Sequence, residues 1–142
     1  MILFENGYQF RLAACCPPPG KRLVPYVAVE MAGPSGEFVT VVGKVDTGAS
    51  RTMLNADTAQ ALGMADMTSS ARQATAVTAT GQSFPYYPHR VLVRIGTNHT
   101  TPIDFPLQAG FAHEVKRNLF GIDWLIHLCL AMDAEAVHFL RD

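Results

Sequence analysis

The sequence has no excess of charge of either sign. Its 142 residues carry 11 Lys+Arg against 12 Asp+Glu, a formal net charge of -1. Nucleic-acid binders gain affinity by neutralising phosphates and normally show a basic excess, so no nucleic-acid partner is expected. Long apolar runs are missing too. No stretch approaches the roughly 18 residues of a spanning helix, and no membrane association is expected. Cysteine is scarce, with only Cys15, Cys16 and Cys129. An odd count in which two members are adjacent makes a poor disulfide framework and points to a reducing, cytoplasmic location. The five His and three Cys form no CxxC or HxxxH pair, and His127 with Cys129 alone is a weak ligand spacing. Neither a metal nor a cofactor is called for. No repeat of 20–50 residues stands out.

What is present is a globular composition, 49% hydrophobic and 16% charged. A chain of this length buries roughly 68–70% of its unfolded surface, enough for one domain with a real core. Leu12-Ala13-Ala14-Cys15 has the look of a lipoprotein cleavage box, but Glu5, Asn6, Gln9 and Arg11 interrupt the apolar run such a leader needs. The plainer reading is a strand within residues 2–14, broken by Pro17-Pro18-Pro19-Gly20. Residues 1–22 are therefore read as an N-terminal arm and 23–142 as the compact domain.

Within that domain the signal is mostly β. Strands are expected at Tyr26–Met31, Phe38–Val42, Gln73–Thr78, Gln82–Tyr87, Arg90–Ile95, Ile103–Leu107, Cys129–Met132 and Val137–Leu140. Pro106 makes the Ile103 strand edge-like. Thr80-Gly81 marks the tip of a hairpin. A short helix over Thr58–Leu62 is capped by Asn55 or Asp57 and ended by Gly63, and a second, at Asp123–Leu128, contains Trp124. Many short strands with Gly/Pro turns predict an all-β fold, a closed β-barrel with one short C-terminal helix, and disfavour a doubly wound sheet.

The chemistry concentrates in Asp46-Thr47-Gly48-Ala49-Ser50, directly after a β-branched strand. The apolar pair Met53-Leu54 follows, the hairpin comes about 30 residues later, and Asn118-Leu119-Phe120-Gly121 lies near the C-terminus. No Ser/His/Asp order is supported. An aspartyl-phosphate reading fails, because Gly48 stands where that chemistry typically places a second Asp. His89 and His138 read as surface or strand residues, and Trp124 as core.

Taken together, these motifs resemble the retropepsin-like aspartic proteases over about Leu23 to Leu140. The resemblance implies that Asp46, Thr47 and Gly48 are catalytic, with the Thr47 hydroxyl stiffening the paired loops. Leu119-Phe120-Gly121 would pack beneath them, and a β-hairpin flap over Gln73 to Tyr87 would close on substrate. Ala49, Ser50, Ala79, Thr80, Gly81, Gln82 and Phe120 are the substrate-binding residues it implies, with apolar subsites near Met53, Val77 and Phe84. Ser50 stands where retroviral members commonly carry Asp. The chain has a single Asp-Thr-Gly, so the second carboxylate must come from a second copy. That predicts a homodimeric endopeptidase acting on a peptide or protein substrate. The alternative is a non-catalytic use of the fold for dimerisation or peptide binding.

Overall fold

The computed structural model describes residues 8–11, 25–70, 72–95, 102–127, 129–132 and 136–140. Strand β1 (Tyr8–Arg11) lies in the stretch read as an arm. The body begins with β2 (Tyr26–Ala32) and β3 (Phe38–Val45), an antiparallel pair. Their connection turns at Gly36, whose N–H donates to Gly33 O and whose φ of 76° suits a residue without Cβ. Val27, Val29 and Met31 are buried while Ala28 and Glu30 are exposed, the period-two pattern of a strand with one face on the core.

Next come β4 (Met53–Leu54) and helix α1 (Ala56–Ala61). Asn55 caps this helix, its side chain accepting from Thr58 N–H. A 3-10 turn (Met67–Ser69) leads to β5 (Ala74–Val77), β6 (Ser83–Ile95) and β7 (Ile103–Phe111). The chain then forms β8 (Leu119–Phe120), α2 (Ile122–Leu125), β9 (Cys129–Met132) and β10 (Ala136–Leu140).

The mostly-strand architecture agrees with the composition and turn signals. Seven strands form one sheet in the order β2-β3-β8-β4-β7-β6-β5, and β2 also pairs with β6 through Glu30↔Arg94, Met31↔Val93 and Ala32↔Leu92. The pairings thus run round a ring, with β5 hanging outside it on β6. β1, β10 and β9 form a separate antiparallel sheet. The core inside the ring comes from alternate residues of each strand, including Val41, Val91, Val93, Phe105, Leu107 and Phe111, and Phe120 and Trp124 join the same cluster.

Three elements differ from the sequence expectation. The segments at Gln82–Tyr87 and Arg90–Ile95 are one strand, β6, running through Pro85 and Pro88. Each proline pairs on one side only, Pro85 with Thr75 and Pro88 with Gly110. A residue with one free edge can keep its donorless nitrogen out of the ladder. β3 continues past Gly43 to Val45, because a bare Cα there accepts the Phe120 ring. A Cβ on Gly43 would sit 2.9 Å from Phe120 Cζ. β7 reaches Phe111 instead of ending at Leu107, since Met53 and Leu54 pair with Gly110 and Phe111 on its second side. Both expected short helices are present, as α1 and, near the C-terminus, α2.

Candidate active site

One parallel and one antiparallel pairing shape the site. β8 lies between β3 and β4, parallel to β3 through Lys44↔Leu119 and Val45↔Phe120, and antiparallel to β4 at Met53↔Leu119. The loop 46–52 leaves the end of β3 and must pass over β8 to reach β4. Gly121 sits under that crossing. A Cβ there would lie 2.6 Å from Arg51 C and 2.7 Å from Ala49 O, so only glycine lets the strands come this close.

The crossing is fastened at several points. Asp46 N–H donates to Phe120 O at 2.9 Å and Ile122 N–H to Ala49 O at 2.8 Å. Thr52 is the central tie. Its N–H and its hydroxyl both donate to Asp123 Oδ1, at 2.7 and 2.8 Å, and the hydroxyl oxygen accepts from Gly121 N–H at 3.1 Å. Asn118 fastens the other side, with Nδ2 donating to Val42 O and Oδ1 accepting from Asn55 N–H. The sequence reading missed Thr52 and Asp123, since their bond spans 71 positions and leaves no local pattern.

Asp46 emerges from this frame with its side chain 30% exposed. Its Oδ1 accepts from Gly48 N–H at 2.9 Å, and Lys44 Nζ stands 3.8 Å from Oδ2. Lys44 lies at the end of β3 and Asp46 directly follows the strand's last residue, Val45, which leaves the two side chains within reach of each other.

A cavity of about 590 Å³ opens above the loop. Asp46, Gly48, Ala49, Ser50 and Arg51 form its floor, and the β5–β6 hairpin supplies the facing wall through residues 75–79, Phe84 and Tyr86. Of the residues singled out from sequence, Asp46, Gly48, Ala49, Ser50 and Ala79 meet there, as do Met53, Val77 and Phe84. Thr47 is exposed beside them and does not line the cavity. Thr80, Gly81 and Gln82 lie at the exposed hairpin tip, outside the lining. There Gly81 N–H donates to Thr78 O, Thr78 N–H donates to Gln82 O, and Gly81 takes a φ of 83°.

Phe120 is 0% exposed and stacks on Trp124 at 4.9 Å between centroids, so it supports the floor from below and does not reach the cavity. Arg51 and Tyr86 line the cavity and were not anticipated. A single Arg after Ser50 carries no motif signal, and Tyr86 reaches the site from the hairpin, where it pairs with Ala74.

Among the described residues no group of three or more His, Cys, Asp or Glu could hold a metal ion. His127 stacks on Phe105 with centroids 4.3 Å apart, and the Cys129 side chain lies outside the described residues. No helix among them is long and apolar enough to cross a membrane.

An Asp-Thr-Gly loop crossing a short inner strand beneath a hairpin-walled cavity defines the retropepsin-like class. The solved retropepsin-like aspartic protease from Rickettsia conorii has this fold at a TM-score of 0.58, with 19% identity over 94% of this chain and 91% of that one. The retroviral protease-like domain of Ddi1 from Leishmania major aligns at a TM-score of 0.40, with 19% identity over 85% of this chain and 96% of that one. The chain belongs to the retropepsin-like aspartic protease family: the profile described as "gag-polyprotein putative aspartyl protease" matches residues 29–127. No curated protein matches the sequence.

Proposed function

We propose that this protein is an aspartic endopeptidase working as a homodimer, with Asp46 of each copy at the two-fold axis. The observation that carries this reading is the Asp46 carboxylate, held by Gly48 N–H on the floor of a cavity walled by a hairpin. Two carboxylates about 3 Å apart, as in aspartic proteases generally, cannot both ionise, so they share one proton. The ionised one takes a proton from a water held between them. The other donates its proton as the water oxygen attacks the peptide carbonyl. The resulting tetrahedral carbon collapses when the amine leaves with a proton returned from the dyad, and no covalent enzyme intermediate forms. The two titrations belong to the pair.

The second carboxylate has no source within the described chain. Asp66 caps the 3-10 turn, Asp104 pairs with Arg94, Asp123 holds Thr52, and Asp57 lies in the first turn of α1. None of them lines the cavity. A two-fold contact brings the same patch from each copy together. Thr47, exposed at the loop apex, is free to bond across such a contact. In this reading the ring of strands acts as a closed barrel, residues 23–142 are the protease domain and residues 1–22 an arm. Thr47 and Gly48 share the catalytic loop with Asp46. Ala49, Ser50 and the hairpin residues Ala79, Thr80, Gly81 and Gln82 line an extended peptide, which adds as a strand beneath the flap. Val77, 68% exposed on that hairpin, offers an apolar contact that substrate would cover.

The test is cleavage of an unfolded protein from pH 3.5 to 7.5, with the oligomeric state measured by sedimentation. The expected result is a dimer whose activity disappears in Asp46→Asn. Equal cleavage by wild type and Asp46→Asn would overturn the proposal. A folded protein with no Asp46-dependent cleavage would favour the binding-module reading.

A further inference from the structure

Arg51 lines the cavity beside Asp46 but has no part in paired-carboxylate chemistry. Its guanidinium carbon lies 5.6 Å from the Tyr86 ring centroid, and Nη1 donates to Gln108 O at 3.2 Å. That hydrogen bond uses one of five N–H donors and offsets none of the charge. Among the described residues no carboxylate ion-pairs with Arg51, since the two pairs are Lys44–Asp46 and Arg94–Asp104. Asp46 is the single acid lining the cavity, and Lys44 already stands at its Oδ2. The Arg51 cation is therefore in surplus at this wall.

The same charge continues outward. Gln108 also borders a neighbouring hollow of about 480 Å³, which Arg72, His89 and Arg90 line with no Asp or Glu. In a chain of net charge -1, three guanidinium groups at two linings whose one acid is Asp46 form a local attractive field for anions, which Asp66 near His89 offsets only in part. Contact with Tyr86 and Gln108 holds the Arg51 fork in place, so little freedom is lost when a carboxylate docks.

We infer that Arg51 is a specificity-determining residue and that the substrate is an acidic peptide segment, placing an Asp or Glu side chain against it within a few residues of the bond cleaved. This rests on the protease reading of the same cavity. Met53, Val77 and Phe84 form the apolar walls for neighbouring side chains, and a longer acidic segment extends toward Arg72 and Arg90.

Matched peptides differing by Glu or Gln at one position, scanned across the cleavage site, test the inference. Wild type is expected to favour Glu at one position by on the order of tenfold or more in kcat/KM, and the preference should shrink as salt rises. Arg51→Gln should bring the ratio to about one, and Arg51→Glu should turn the preference toward Lys. A ratio is read because loss of packing alone lowers both rates together. If Arg51→Gln unfolds, Arg51→Lys keeps the charge without the planar fork and should retain a smaller Glu preference.

Fluorescein-labelled Glu and Gln peptides bound to Asp46→Asn, followed by anisotropy, read the same ratio without catalysis. Cleavage with no Glu preference, or a preference that survives in Arg51→Gln, overturns the inference and leaves the protease reading intact. Arg51-dependent binding of the Glu peptide by a chain that never cleaves sinks the protease reading and keeps only Arg51 as the residue that recognises the acid. Equal binding of both peptides overturns it.

Discussion

Asp46 takes its position from its immediate neighbours. Gly48 turns back so that its N–H reaches Oδ1, and Gly121 removes the side chain that would push the loop away. The second contact is the tighter of the two. A methyl group at Gly121 meets backbone on two sides, and backbone cannot rotate aside as a side chain can. Gly121→Ala should therefore cost about 2 kcal/mol or more as overpacking, a Tm drop of roughly 5–10 °C, and peptidase activity should fall with it. A thermal melt gives the answer, and an unchanged Tm would mean that the loop does not rest on Gly121. Gly48 is under less pressure, because its added Cβ would meet only Asp46 Oδ1, at 3.2 Å.

The loop 46–52, β8 and α2 act as a single unit, and Thr52 joins them. Its hydroxyl serves Asp123 and Gly121 together, and Thr52 is fully buried. Thr52→Val keeps the shape and removes the hydroxyl. Gly121 N–H then loses its acceptor in a buried place, at a cost of about 1–3 kcal/mol. Thr52→Ser restores the oxygen and should recover most of the loss. Urea unfolding of the three proteins checks this order, and equal midpoints for wild type and Thr52→Val would refute it. The hairpin is built differently. Its tip residues are exposed, and the hydrogen bonds at that tip run within residues 78–82, beyond the short β5–β6 ladder. Few apolar contacts hold such a segment, which places it at the low-stability end where closing elements are found.

At the scale of the whole molecule, pH acts on stability through surface carboxylates remote from the cavity. Hydrogen bonds from the Thr68 hydroxyl and N–H hold the Asp66 carboxyl below its ordinary 3.8. The two hydrogen bonds from Arg94 hold the Asp104 carboxyl low in the same way. A folded-state value below the unfolded one contributes stability that is complete above the unfolded value and is lost as pH falls through the folded value. The wild type should thus lose more stability between pH 5.5 and pH 3 than the Asp66→Asn, Asp104→Asn double variant. Urea midpoints at the two pH values measure the difference, and parallel losses would refute it. Both groups are solvent-exposed, so the effect is modest and screened by salt. An acid pH profile of cleavage belongs beside these midpoints, since activity lost with the fold then separates from activity lost in a folded protein.

The sequence by itself determined the features that are local in the chain. Apolar and β-branched patterning specified β2 and most of β3 and β7, Asn55 or Asp57 marked the start of α1, and the Gly81 turn placed the hairpin tip. Asp46-Thr47-Gly48 with Leu119-Phe120-Gly121 identified the family. Tertiary structure decided what depends on residues far apart. It joined β6 across two prolines, because a strand with one free edge tolerates them. It drew Asp123 to Thr52 across 71 positions, buried Phe120 beneath the loop, and set Arg51 into the cavity wall against Tyr86. A motif records which residues follow one another, whereas burial and pairing depend on which strands become neighbours, and that is settled only when the ring of strands forms around its core.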